Sequence, residues 1–470
     1  MLSSSQGLLL FIAYGMAILS LVVFTSRKKR GFKDFLLMDR QLGIARGSLS
    51  MAVSWIWAPA VFICSLQAYT QGLPGVFWFT VPNILTFFVF AIFAVRMRKE
   101  LPDGYTILDV FRHKFPGTKS AHFGAMIVAF GYQLGAIIIN CVAGATLINL
   151  LSGIPFTSGV LLMGGLALSY SLISGLRASV ISDVAQMLMI LFIALIVVPW
   201  SISAAGGFGA LSDGFGGVSG EYRNIFDGSV AYTFGIAMTL GLISGPVADQ
   251  MFSQRAFAAK KNALVKIFVI GGLLFGLVPI TLSLLGFLGA SGVEQKLFSV
   301  DDPQMVGPVV VGFYLPKWAL SMFAVMAFAG LTSTLDSAFS AVGSLSARNV
   351  SIDDVDIRGR EIFQARMGMV VFAILGIGIA LMQPKLLWVF LIYGALASAL
   401  FLPAFMTLFW DGMTGKGAAI GIFGGFAIGT PLSVYANVSG NTDLVVIAAI
   451  MSFFMSGALA YVFSALKRHS

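Results

Sequence analysis

The sequence predicts an all-α polytopic membrane bundle of about thirteen transmembrane helices, and three observations predict it. Of 470 residues, 58% are hydrophobic and only 10% charged, whereas a soluble domain carries about a quarter charged residues. A water-exposed fold could not hide that much apolar surface, and lipid removes the need. Apolar runs of transmembrane length recur along the whole chain. The basic residues then fall on alternate sides of those runs, as the positive-inside rule requires.

The runs are 6–26, 43–72, 75–97, 119–152, 156–175, 178–204, 229–258, 263–290, 315–348, 362–383, 386–410, 416–436 and 443–466. The first resembles a signal peptide only in length. Its leading segment has no positive charge, and Arg27, Lys28, Lys29 and Arg30 follow the apolar stretch. That order suits an uncleaved helix with its N-terminus outside. With thirteen spans, the inner loops and helix ends hold 25 of the 29 Lys and Arg, and Arg223, Lys296, Lys317 and Lys385 are left outside. The C-terminus is then inside. The fifth and sixth runs meet at Gly175 with almost no loop, and 105–115 reads as a short interfacial helix.

The net charge of +9 is explained by those inner loops and does not call for nucleic acid. Cys64 and Cys141 fall inside apolar runs, and His113, His122 and His469 are scattered, so neither a disulfide framework nor a metal cluster is expected. No soluble domain or nucleotide-binding loop is read, which argues against an ATP-driven pump, and no catalytic constellation is read, so no enzyme is expected.

The chemistry lies in the spans. The second contains Ser54-Trp55-Ile56-Trp57-Ala58-Pro59-Ala60 at its midpoint, and the seventh contains Gly241-Leu242-Ile243-Ser244-Gly245-Pro246. Proline removes a backbone donor and clashes with the preceding turn. Paired interrupted helices are the sequence pointer to a transporter binding site, because unwound carbonyls coordinate ions and half-helix ends face substrate. The two breaks lie five helices apart in helices of opposite direction, the relation of an inverted five-helix repeat.

Three carboxylates, Asp183, Asp249 and Asp336, lie within spans. Each costs at least ~2.5–3.5 kcal/mol on insertion scales, which makes it a functional candidate. Asp336 lies twelve residues before Arg348, about 18 Å along a helix, and is the deepest. Around it run Gly330-Leu331-Thr332-Ser333-Thr334-Leu335-Asp336-Ser337. The hydroxyls offer oxygen to a hard cation or bond to their own and neighbouring helices.

Three stretches together resemble the sodium/solute symporter family: Ser174–Gln186, Asp249–Lys260 and Ser333–Ser337. The likeness runs from the first span to about the eleventh. It implies a leucine-transporter-type core: a peripheral first helix (6–26), inverted repeats at 43–204 and 229–410, and two peripheral C-terminal helices (416–466) in one transmembrane unit, 1–470. It also implies a Na+ site made of the carbonyls of Val53, Ile56 and Gly330 and the hydroxyls of Ser333 and Thr334, with Asp183 close by. The helix register at Val53 and Ile56 stays open by one residue. Substrate is expected between the broken helices. The candidates are Trp55, Trp57, Ala60, Trp78, Gln133, Asn140, Ser244, Asp249 and Tyr393, and Asp336 is a candidate for coupling.

The stretch SWIWAPAVFICSLQAYTQGLPGVFWF is similar to the urea-transporting branch. Its apolar character speaks against a sugar. No Lys or Arg is expected deep in the membrane near the site, so a small neutral or cationic solute fits more easily than an anion. The expectation is Na+-coupled symport of a small polar, urea-like solute by alternating access, in a bacterial-type cytoplasmic membrane. Proton coupling through Asp183 or Asp336, and a sensor acting with a separate signalling partner, stay open. A major-facilitator carrier is disfavoured because it would show two parallel six-helix halves. The oligomeric state is not legible.

Overall fold

The structure is a computed structural model and describes residues 3–25, 31–349 and 360–466. The basic cluster Arg27–Arg30, and Arg358, Lys467 and Arg468 of the charge tally, lie outside the described residues. The described residues form helices, with one isolated β-bridge between Leu42 and Ala259.

Twelve helices among the described residues are long and apolar enough to cross a membrane. One of them, Pro59–Glu100, has 42 residues. That is about 63 Å of helix, twice the ~30 Å hydrocarbon core. It reverses at Gly72, which takes φ +56° and ψ −143°. A Cβ there would lie 2.4 Å from the Tyr222 carbonyl oxygen, so only glycine fits the corner. The arm before Gly72 continues the short helix Ile44–Ser54 across an unwound Trp55–Trp57. The twelve helices therefore make thirteen passes.

They are numbered in order: α1 Ser4–Thr25, α2 (Ile44–Ser54 plus 59–71), α3 73–100, α4 Lys119–Ser152, α5 Phe156–Ile173, α6 Gly175–Ala204 and α7 (Gly228–Ala248 plus Gln250–Ala258). Then follow α8 Leu264–Glu294, α9 Lys317–Asn349, α10 Glu361–Ala380, α11 Leu386–Phe409, α12 Gly415–Ser439 and α13 Thr442–Ala465. Predicted and observed ends agree within a few residues. The expected joint at Gly175 is present, at φ +60° and ψ −148°. A Cβ on Gly175 would lie 2.3 Å from the Phe35 carbonyl oxygen. Phe35 belongs to Phe32–Leu37, a short helix that sequence reading passed over, and its Asp34 pairs with Arg177. The predicted interfacial helix is Leu108–Lys114.

The break in α7 is a correction. It falls at Asp249 (φ −85°, ψ 109°), three residues after Pro246. Pro246 sits inside the helix. The carbonyl it leaves without an intrahelical donor, that of Leu242, instead accepts from Thr86 Oγ1 at 2.6 Å. A neighbouring hydroxyl satisfies the freed group, so proline alone does not end the helix. Asp249 ends it by capping the next half-helix, accepting from the Met251 N–H at 2.8 Å.

The packing gathers these elements. α8 lies along α3, α9 along α5–α6, and α7 along α11. The two broken helices are tied at one end: Leu42 N–H donates to the Ala258 carbonyl, and Lys260 N–H donates to Leu42, both at 3.0 Å. Arg40 and Arg98 donate to the Phe257 carbonyl beside them, cations at a helix C-terminus where its dipole favours them.

Candidate functional site

The unwound turn of α2 frees backbone groups and α9 meets them. In a continuous helix the Ala60 N–H would bond to the Ile56 carbonyl; here it goes to Trp57 at 2.9 Å. The Ile56 carbonyl accepts from Thr334 Oγ1 at 3.1 Å. Gly330 leaves room for the Ile56 side chain, since a Cβ on it would stand 3.0 Å from Ile56 Cγ2. The Val53 carbonyl accepts from the Ile56 N–H at 3.0 Å. On the other side of the break, the Ala58 N–H donates to Asn140 Oδ1 at 2.9 Å, while Asn140 Nδ2 donates to Ala136. Asn140 thus caps the second half-helix of α2.

Ser333, one residue before Thr334, donates to Asp183 Oδ1 at 2.5 Å. Its proton committed there, its lone pairs are left for a cation. Of the expected ligands, Thr334 Oγ1 meets the Ile56 carbonyl and Ser333 Oγ turns to Asp183; oxygens are the atoms a hard ion such as Na+ takes.

Asp183 is anchored by more than Ser333. Its Oδ2 accepts from Ser50 Oγ at 2.6 Å and from Arg255 Nη2 at 2.8 Å. Arg255 and Asp183 are both fully buried, and Arg255 also donates to Ser50 and Ser337. This corrects the expectation that no Lys or Arg lies deep near the site. Arg255 is the seventh residue of the family-like stretch Asp249–Lys260 at the end of α7, where position along the chain alone puts it at the membrane surface. Its role depends on Asp183, 72 positions away, and no local signal carries that. Ser50, Ser337, Tyr132, Tyr14 and Gln186 were missed for the same reason.

Asp336 is likewise buried. Ser171 Oγ donates to its Oδ1 at 2.7 Å, and its Oδ2 has no partner among the described residues. Tyr14, Thr332 and Gln186 form a hydrogen-bonded cluster alongside on α1, α9 and α6.

The other candidates separate into two groups. Trp57 and Tyr393 line a narrow cavity with Tyr132, Phe390, Gly241 and Gly394, and no other candidate lines it. Trp55 packs at a tilt of 58° on Trp57 with centroids 5.3 Å apart and donates to Asn83 at 2.9 Å. Gln133 Nε2 donates to Asp249 Oδ1 at 2.9 Å. Ala60 is buried in the second half of α2. Ser244 is committed to its own helix, donating to the Leu240 carbonyl at 2.7 Å. Trp78 packs on Gly235 near the start of α7 and does not line the cavity.

A family model described as the sodium:solute symporter family matches residues 35–425. The chain belongs to that family. It is 22% identical over 415 residues to a urea–proton symporter of Oryza sativa subsp. japonica, covering 81% of this chain and 57% of that one. It is 22% identical over 436 residues to the sodium/pantothenate symporter of Escherichia coli (strain K12), covering 88% and 87%. The chain spans little more than half the length of the urea-transporter relatives. Among solved structures, a substrate-bound, outward-open Na+-coupled sialic acid symporter matches with a TM-score of 0.82 at 14% identity, over 98% of each chain. This sodium:solute symporter chain therefore has the leucine-transporter-type fold expected of it, as a multi-pass membrane protein. The relatives it matches are named as transporters, not enzymes.

Proposed function

We propose that the protein is a secondary active transporter that couples downhill Na+ entry to uptake of a small polar solute by alternating access. The observation that carries this is the unwound turn of α2 facing the α9 hydroxyls. In this reading the ion's ligands are the carbonyls of Val53, Ile56 and Gly330 and the hydroxyls of Ser333 and Thr334, supported by the Thr334 hydroxyl's contact with the Ile56 carbonyl. Asp183, neutralised by Arg255, acts by holding the Ser333 hydroxyl. Na+ bound there bridges α2 to α9 and favours one arrangement of the broken helix, and cargo at the second break favours its closure. Coupling follows because each ligand shifts the equilibrium only by its differential affinity for the two states.

In this reading 43–204 and 229–410 are the inverted repeats, the N-terminus is outside, the C-terminus is inside, and the membrane is the cytoplasmic one. The cargo lies between Trp57, Tyr132, Gln133, Asp249 and Tyr393. Likeness to urea carriers supports a urea-like solute, neutral or cationic.

The test is uptake of labelled urea and labelled guanidinium into proteoliposomes under a Na+ gradient, with a K+ gradient as control. Ser333→Ala or Thr334→Ala removes one oxygen ligand. At ~1–3 kcal/mol for a lost buried polar partner, the apparent Na+ affinity is expected to fall about 5- to 150-fold. Unchanged Na+ dependence in both variants would sink the assignment. Uptake driven as well by a pH gradient in K+ would place the coupling on protons.

A further inference from the structure

Among the described residues, the membrane-spanning helices hold three buried carboxylates, Asp183, Asp249 and Asp336, and one fully buried cation, Arg255. Arg255 is committed to Asp183. Asp249 therefore has no ion-pair partner among the described residues, yet it is fully buried. Its Oδ1 takes the Gln133 side-chain N–H and the Met251 backbone N–H. Its Oδ2 takes nothing, and neither does Gln133 Oε1. These are two buried acceptors, on side chains hydrogen-bonded to each other through their other atoms, with no donor among the described residues. Buried polar atoms are normally paired, and an uncompensated charge here is costly.

The surroundings are aromatic. Trp57 lies 5.3 Å from Tyr132 and 5.3 Å from Trp55, centroid to centroid. Gly245 lies one turn before Asp249, whose N–H donates to its carbonyl at 2.8 Å. A Cβ on Gly245 would come within 2.5 Å of Tyr132 Oη and 3.0 Å of Trp55 Cη2. The missing side chain is what lets the rings stand against the helix break. The same Trp57 and Tyr132 form one wall of the cavity that continues to Tyr393.

We propose that the cargo is a small planar cation bearing N–H donors, of guanidinium or amidinium type. It donates to Asp249 Oδ2 and Gln133 Oε1 and stacks on Trp57 and Tyr132. This rests on the reading of the helix breaks as the cargo site. Each feature of the site selects one property of the ligand. Unpartnered acceptors need donors, and a carboxylate matches the guanidinium fork. The lone charge needs a cation, and indole and phenol faces attract one. A quaternary ammonium has the charge but no N–H, so it leaves both acceptors bare. Urea has the N–H groups but no charge, so it leaves Asp249 uncompensated.

The test uses the full chain in proteoliposomes with Na+ outside. Labelled guanidinium and labelled urea are supplied at equal concentration, and unlabelled tetramethylammonium serves as competitor. Guanidinium is expected to enter about tenfold faster than urea or more, with little competition from tetramethylammonium. Asp249→Asn, the isosteric neutral form, is expected to abolish the preference. Gln133→Leu is expected to weaken guanidinium uptake and keep the preference for the cation. Urea entering as fast as guanidinium, no guanidinium entry, equal competition by tetramethylammonium, or a preference that survives Asp249→Asn would each overturn the proposal. The wild-type comparison decides without any variant having to fold. Na+-driven urea uptake without guanidinium uptake would sink this inference and leave Na+ symport standing. Guanidinium uptake indifferent to Na+ would do the reverse.

Discussion

Asp183→Asn tests the best-defined electrostatic feature, the ion pair of Asp183 with Arg255. The substitution keeps the volume of the side chain and removes its charge. Arg255 then stays fully buried with no counter-ion, still touching Ser50, Ser337 and the Met251 carbonyl. Ser50 and Ser333 donate to different oxygens of Asp183, and the amide keeps only one, so one of the two hydroxyls loses its acceptor as well. Removing one partner of a buried pair costs about 3–5 kcal/mol, because the survivor is an uncompensated charge. The same holds for Arg255→Met, which strands Asp183. The double variant removes both charges and both desolvation penalties, so its cost should fall below the sum of the singles by about 2–3 kcal/mol. Unfolding in mixed micelles at graded denaturing-detergent fractions measures all four proteins. Strictly additive costs, or either single below about 1 kcal/mol, would refute the pairing. The energy would then lie in packing of the side chains and not in their charges.

Three further outcomes follow from particular contacts. Thr86→Val should cost about 1–3 kcal/mol by orphaning the Leu242 carbonyl, but far less in a Pro246→Ala background, where an intrahelical N–H returns; the same unfolding assay reads the difference. Gly175→Ala should destabilise by ~1–3 kcal/mol for the left-handed backbone alone, with more from the Phe35 carbonyl 2.3 Å away; a variant as stable as wild type would refute the corner geometry. Asn140→Leu should weaken cargo and Na+ dependence together, since it uncaps the Ala58 N–H without touching any oxygen of the ion set, and uptake at varied Na+ checks this.

Much of the architecture was legible because the bilayer writes it locally. A crossing needs a run of apolar residues, and basic residues mark one side, so the passes, the joint at Gly175 and the interruption at Trp55–Trp57 could be read from neighbours in sequence. Pro59 marks that interruption truthfully, because the unwound turn lies just before it. Pro246 misleads by three residues, because Thr86 of α3 supplies the missing donor and lets the helix run on to Asp249. Thr86 and Leu242 are 156 positions apart, and no window contains both.

The same distance separates the linear and tertiary readings of Arg255. By sequence it is one of the basic residues at the inner end of a span. Only the folding of α2, α6, α7 and α9 around one point turns it into the counter-charge of Asp183, and so leaves Asp249 without one. Hydrophobic length and charge asymmetry are properties of a segment against lipid, and the sequence by itself determined them. Which buried charge is compensated, and by what, is a property of packed helices, and the tertiary structure alone decided it.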